Sequence, residues 1–481
     1  MGKRYLKNAT LCIVIGMLFL SCTTRQSRRI RLLNDSFTRQ DYRKTIETIQ
    51  KSQDKYGNLN RFLYWFDLGL LYHYIDRFDS SILHLEKAEQ VLDELYARSV
   101  TNEIASIMTN DNLRPYRPRR YEQILLHQFL AFNYLARNEI DEALVEMRKV
   151  RLVFERFQSK DKGKDKYNDD GMAHFLSSIL YDAQGDDDDA VIALYKAVSA
   201  YRNGPVPIPA PVSDLAYYRL LEDGREEDID ELQLAPEHKP ENVPGLYDSP
   251  RSEIILIGYA GLSPILGETV YWGTYVVDGA LIVHYRNPYG DTVTMALPAP
   301  PIPDMKGEEG KTKSGTTFHI KFALPSLVKR ESQAEQIVLM VEDSSGKEVP
   351  GIPLTDTDLL LEKELEDNHA RIIARTALRV VLRTIAQQRT KKALQTESPL
   401  ANLFVNVGTD LLADQLEKAD TRLCFLLPQT IHIARIPVSP GRHTVKAVTL
   451  NNGREVIEQK EWQDIFITEG KKKFVFYPTL K

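Results

Sequence analysis

The sequence predicts a multidomain chain: an all-α helical solenoid followed by an α+β domain that ends in β-strands. Three observations carry that expectation. A helical hairpin pattern recurs between residues 30 and 203, a proline-rich stretch follows it, and beyond residue 250 the apolar period changes from helical to alternating. The chain has 481 residues, more than one typical domain holds. Hydrophobic residues make up 43% and charged residues 27%, a balance that excludes a fibrous, wholly disordered or polytopic membrane protein. The net charge of −5 shows no excess of base, so nucleic acid is not an expected partner. Three cysteines are too few for a disulfide framework.

Residues 1–21 read as a signal peptide. Lys3, Arg4 and Lys7 form a positive n-region, and Ala9 to Leu20 an apolar h-region. Such a run falls short of the ~20 apolar residues that cross a bilayer. Phe19-Leu20-Ser21-Cys22 then resembles the lipobox of bacterial lipoproteins, with Phe19 where leucine is usual and Leu18 one step further back. The resemblance implies acylation of Cys22, palmitate included, and several chains would anchor firmly where one anchors marginally. Thr23 stands where an inner-membrane retention signal would have aspartate, so the outer membrane is expected, on its periplasmic face. Loss of residues 1–21 removes three positive charges and takes the net charge from −5 to −8. Cys424, within Leu423-Cys424-Phe425-Leu426-Leu427, reads as a buried small hydrophobe and not as a reactive thiol.

A helical repeat domain is expected over residues 22–203. One copy carries Trp65, Leu68, Gly69, Tyr72, Phe78, Ser81, Leu85 and Ala88; a second carries Leu130, Ala131, Tyr134, Asn138, Ile140, Ala143, Met147 and Val150; a third carries Tyr181, Gly185, Ala190, Leu194 and Ala197. This pattern resembles the tetratricopeptide (TPR) repeat, in which small residues let two helices approach and large ones fill the space beside them. The small residues Ser81, Ala143 and Ala190 are 62 and 47 positions apart. Against a repeat of about 34 residues these spacings require inserts, which fit residues 96–122, with Arg114-Pro115-Tyr116-Arg117-Pro118-Arg119-Arg120, and residues 159–170. A degenerate copy is expected near Tyr42 and Ile46. Stacked hairpins offer a concave groove for a protein partner, although each named residue is first of all a packing residue. Asp186 to Asp189 lack the pattern of a calcium loop and read as an N-cap and first helical turn.

Residues 204–250 hold eight of the 24 prolines and read as a stiff connector interrupted by a short helix from Asp214 to Glu222. From 251 to 481 an α+β domain is expected. Strands are predicted at Glu253 to Tyr259, Thr274 to Val277, Ala280 to Tyr285, Thr316 to Phe322 and Gln336 to Val341. Helices follow at about 357–394, broken near Asn368, and at Pro399 to Ala419; terminal strands fill 422–478.

The helix after Asn368 is unusual. Ala370 to Leu394 holds Arg371, Arg375, Arg379, Arg383, Arg389, Lys391 and Lys392 and no acid. The first four arginines lie four apart, on one face, opposite Ile373, Ala377, Val380 and Val381. Three readings stand: an internal helix paired with carboxylates such as Asp358, Glu362, Asp414, Glu417 or Asp420; a basic amphipathic helix on anionic lipid or glycan; or an anion or partner site. The chain contains no G-x-S-x-G, H-E-x-x-H, Walker or C-x-x-C motif, so no catalytic residue is assigned and no enzyme is expected. His432 and His443 lack the neighbours a metal site needs; no metal and no cofactor is expected.

The order of lipobox, repeats and proline joint, with Ala370-Arg371-Ile372-Ile373-Ala374-Arg375, Ala419-Asp420-Thr421-Arg422 to Pro428, Ile433 to Pro437 and Pro440 to Val445, resembles an uncharacterised family of bacterial envelope lipoproteins across nearly the whole chain. The resemblance implies a lipid-anchored repeat protein without known activity, similar in context to the lipoproteins that activate penicillin-binding proteins. The closing strands also resemble small β-sandwich repeats of bacterial surface proteins. The expected function is a membrane-anchored, non-catalytic scaffold for a protein partner in the cell envelope. The alternatives are a glycan- or lipid-binding module using residues 371–392, and a cell-wall hydrolase.

Overall fold

The computed structural model describes Phe37 and residues 41–97, 111–161, 169–236, 252–303, 313–342, 347–394 and 418–481. Residues 1–22, with the signal segment and Cys22, lie outside the described residues. After α1 (Tyr42–Gln50) and α2 (Gln53–Tyr56) come three hairpins: α3 (Arg61–Tyr74) with α4 (Phe78–Ala97), α5 (Arg120–Ala136) with α6 (Ile140–Asp161), and α7 (Gly171–Gln184) with α8 (Asp187–Asn203).

One device closes all three. Asp76, Asn138 and Gly185 take left-handed φ values of 57°, 62° and 82°. The next amides, of Arg77, Glu139 and Asp186, donate back to the carbonyls of Tyr72, Tyr134 and Tyr181 at 2.9, 2.9 and 3.0 Å. A left-handed residue with that return bond satisfies carbonyls a helix end leaves open. The three turns repeat the spacings of Ser81, Ala143 and Ala190, so the repeat register read from sequence is the structural one. Leu68, Ser81, Ala88, Ala143, Ala190 and Ala197 are buried, while Trp65, Tyr72, Tyr134 and Tyr181 pack at the edge of the core. Gly69 lets Leu85 approach closely, since a Cβ there would lie 2.3 Å from Leu85 Cδ2. Asp186 is the N-cap and Asp187 to Asp189 the first turn of α8.

The connector differs from expectation. Its first half is α9 (Ala210–Glu222) and α10 (Glu226–Glu231), which continue the array against α8. Pro209 is the N-cap of α9 and Pro211 lies in its first turn, where a fixed φ and a missing N–H do no harm. Residues 237–251 lie outside the described residues.

Three sheets follow, built from β1 (Glu253–Leu262), β2 (Ile265–Val276), β3 (Ala280–Arg286), β4 (Thr292–Pro298), β5 (Thr317–Val328), β6 (Gln336–Val341), β7 (Glu348–Pro350), β8 (Ile352–Asp356), β9 (Pro428–Pro437), β10 (Gly441–Leu450), β11 (Val456–Ile467) and β12 (Lys472–Thr479). Their orders are β12-β1-β9-β8, β11-β10-β6-β7 and β4-β3-β2-β5. β1 runs parallel to β12 and antiparallel to β9; the other pairings are antiparallel.

The first sheet is buried on both sides. Ile254, Leu256 and Ala260 of β1 face Ile337, Leu339, Val445 and Ala447 of the second sheet. Gly258 permits that approach, because a Cβ there would sit 2.7 Å from Ile337 Cδ1. Ile255, Ile257, Tyr259, Ile433, Phe474 and Phe476 form the other side and share one core with Leu70, Leu71, Phe129 and Phe132 of the array. Helices α5 and α7 touch β12 and β8 directly. His73 spans the junction: Tyr259 Oη donates to its Nε2 at 2.7 Å, and its Nδ1 donates to Asn133 Oδ1 at 2.7 Å. A buried ion cluster adds to it, with Arg435 bidentate on Glu253 at 2.8 to 3.0 Å and Lys472 Nζ 2.9 Å from Asp182 of α7. The face that the first helices of the hairpins share is thus covered by the chain's own sheet. Where the sheet packs, that face is occupied by the chain itself.

Helix α11 (Thr357–Leu394) runs unbroken, because Asn368 Nδ2 donates to the Glu364 carbonyl at 2.8 Å instead of interrupting the ladder. The segment 399–417, expected as a second helix, lies outside the described residues, and Lys418, Ala419 and Asp420 are not helical.

Candidate functional site

Ile373, Ala377, Val381 and Leu382 of α11 are fully buried against Tyr275, Leu281, Val283 and Phe322 of the third sheet. A helix with one face so fixed turns its opposite face outward, and that face carries the arginines. Across from it stands the insert between the first two hairpins. Tyr116 N–H donates to the Leu59 carbonyl at 2.6 Å, and Arg422 reaches the carbonyls of Asp111 and Arg114 at 2.7 and 3.0 Å. Asp420 holds Arg422 in turn, at 2.6 Å. Burial pushes the Glu122 carboxyl up to about 7 against the hydrogen bonds from Tyr116 and from the Cys424 and Arg119 amides. This carboxyl ties the insert to the α+β domain.

Between the two walls is a cleft of about 1270 Å³. Among the described residues eleven Lys or Arg line it and five Asp or Glu, a cationic balance on a chain that is anionic overall. Arg371, Arg375 and Arg379 of α11 line it together with Arg114, Arg117 and Arg119 of the insert. Arg379 is buried and ion-paired with Asp111 at 3.3 Å. Arg371 donates to Asn368 Oδ1. Arg375 stays exposed, yet crowding by protein lowers its guanidinium pKa; Asp111 opposes that, and Arg114, Arg379 and Arg371 add to the lowering. Arg383, the fourth of the stripe, is half-buried and is not among the lining residues.

Three of the carboxylates named from sequence lie among the described residues, each with a partner outside the stripe. Glu362 pairs with Lys329, Asp358 accepts from Gln429, and Asp420 pairs with Arg422; Asp414 and Glu417 lie outside the described residues. The partner found for Arg379, Asp111, is 268 positions away. The insert's arginines were visible as a dense Arg-Pro run, but nothing in the sequence aims them at α11. Cys424 is fully buried, its amide bonded to Glu122 Oε1 at 2.7 Å, and burial raises its thiol pKa well above the usual range. His432 bonds Thr430 and His443 the Ser439 carbonyl, and among the described residues no group of three or more His, Cys, Asp or Glu could hold a metal. No described helix is long and apolar enough to cross a membrane.

Fold and cleft together define the class: a helical-hairpin array fused to a sheet-rich domain, with a cationic cleft where they meet. No family profile matches the chain, and no curated protein does. Among solved structures it is similar to nearly identical TPR-like repeats of a Podosopora anserina chain assigned as a kinesin light chain, at 15% identity over 44% of this chain and 92% of that one, with a TM-score of 0.27. A point variant of that protein matches at 15% identity, 44% and 91% coverage and the same score. At such scores the repeat assignment rests on the hairpin contacts and turns described above.

Proposed function

We propose that this chain is a lipid-anchored, non-catalytic scaffold of the bacterial cell envelope that offers the arginine-rich cleft to an anionic partner. The observation that carries the reading is the lining itself, eleven cations against five anions among the described residues, on a chain of net charge −5. A concave wall of one sign focuses its field and concentrates the opposite charge. The array serves mainly to hold the chain's own α+β domain and to position the insert. An acylated Cys22, facing the periplasm from the outer membrane, would raise the effective concentration of any partner in the same layer, so that weak contacts suffice.

The test has two parts. Intact mass of membrane-extracted protein should show an acylated N-terminus that Cys22→Ala abolishes; an unacylated wild type refutes the anchor. Retention on an anionic matrix at low salt should fall in the Arg371→Gln/Arg375→Gln double variant. Release of soluble products from purified peptidoglycan would overturn the non-catalytic assignment.

A further inference from the structure

The cleft is not only cationic. Leu59, 37% exposed, lies in its lining with Leu95, Phe157, Pro325 and Ile372, all partly open to it. A site for a wholly polar ion has no use for such a wall, whereas a pocket for an organic ligand pairs apolar lining with a few placed polar groups. Of the eleven cations among the described lining residues, nine are arginine and two are lysine. The guanidinium fork matches the oxygens of a phosphate or carboxylate group in pairs, which an ammonium does not. The volume exceeds the roughly 300–1,000 Å³ that holds a drug-sized molecule. The walls are also set in advance: Arg379 is held by Asp111, Arg422 by Asp420 and two carbonyls, and Tyr116 by Leu59 and Glu122. A preformed site loses less ordering entropy on binding.

Building on the anionic-partner reading, we propose that the cleft takes a phosphate-bearing amphiphile, its phosphate between Arg371, Arg375 and Arg114 and its chain along Leu59, Leu95 and Ile372. The shared chemistry is a phosphate ester on a hydrocarbon chain, whether a lipid headgroup in a bilayer or a free molecule supplies it.

The experiment is calorimetric titration of the full chain with dodecyl phosphate below its micelle concentration, beside glycerol 3-phosphate, dodecanoate and dodecyl maltoside. Each buried methylene strengthens binding about fourfold, so dodecyl phosphate should bind at least about tenfold tighter than glycerol 3-phosphate, and more tightly than dodecanoate. Dodecyl maltoside should bind weakest. Arg371→Gln/Arg375→Gln should lose about tenfold or more, at two charge-assisted bonds. Leu59→Asn/Ile372→Asn should erase the gain over glycerol 3-phosphate while leaving that weaker binding intact. An unchanged thermal midpoint certifies each variant as folded. Flotation of the Cys22→Ala chain with phosphatidylcholine vesicles, with and without phosphatidic acid, separates the sources. Flotation that needs phosphatidic acid and both arginines supports a bilayer lipid, and titration without flotation supports a free amphiphile. Equal affinity for dodecyl phosphate and glycerol 3-phosphate would overturn the amphiphile and leave the anionic site standing. Binding of neither would overturn both, and undiminished binding in the folded arginine variant would overturn the placement.

Discussion

Tyr259→Ala asks whether the array and the sheets are one cooperative body. Tyr259 is fully buried, its ring stacks on Phe129 at 5.3 Å, and its hydroxyl bonds His73 at 2.7 Å. Removing a large aromatic side chain from a core costs about 3–5 kcal/mol. The ring nitrogen of His73 left without a partner adds about 1–3 kcal/mol. The total, about 4–8 kcal/mol, is a large part of the stability of an ordinary domain. Tyr259→Phe isolates the second part, at about 1–3 kcal/mol. The chain offers its own reporters in three tryptophans: Trp65 on α3, Trp272 on β2 and Trp462 on β11. Each is kept in turn, the others becoming Phe, and urea unfolding is followed by fluorescence. The midpoints reported by Trp65 and Trp462 should fall together in Tyr259→Ala. If Trp462 responds while Trp65 does not, the shared core is not cooperative and the reasoning fails.

Burial lowers both His73 and His432 to about 4, below the ordinary 6.5. Between those values the unfolded chain binds protons that the folded one refuses, so stability is lost as pH falls from 6.5 toward 4, by about 3 kcal/mol for each histidine at most. The raised Glu122 and Asp170 act in the opposite sense; comparing urea midpoints of wild type and His73→Gln across pH 4–7 isolates the His73 share, and parallel profiles would sink it. Glu253→Ala leaves Arg435 and Lys472 buried with half their countercharge and should cost about 3–5 kcal/mol by urea unfolding. Gly69→Ala forces a Cβ to 2.3 Å from Leu85 and should cost about 1–3 kcal/mol, with the thermal midpoint as readout; an unshifted midpoint would mean the hairpin gives way freely.

Features set by short spacing were legible in the sequence. The hairpin turns, the small residues between paired helices and the two faces of α11 all follow from periods of three to five residues. Long-range pairings were not. The continuous apolar run Ile254-Ile255-Leu256-Ile257 reads as a strand, and its lack of alternation fits the burial on both faces that the structure shows. It could not say that one neighbour would be a helical array and the other a second sheet. Local propensity also misled twice. Proline in the connector suggested an extended spacer where two prolines open a helix, and Asn368 suggested a break where its amide bonds within the helix. The arginine stripe was seen as a pattern, but its cleft depends on a loop some 260 positions earlier.

The pairing of β1 with both β9 and β12 sets a schedule for synthesis. Glu253 to Ala260 must wait for Lys472 to Thr479 before the sheet that covers the array can close. At about 5–20 residues per second, the apolar side of α3 near His73 stands uncovered for roughly 20–80 s before Phe476 exists. The helices can pair with one another early, since their contacts are local, but the finished body cannot form until the chain is nearly complete. A nascent chain of this design therefore spends most of its making as a sticky half-product, and a chaperone that shields helical surfaces would be needed most while the sheet strands are still being made.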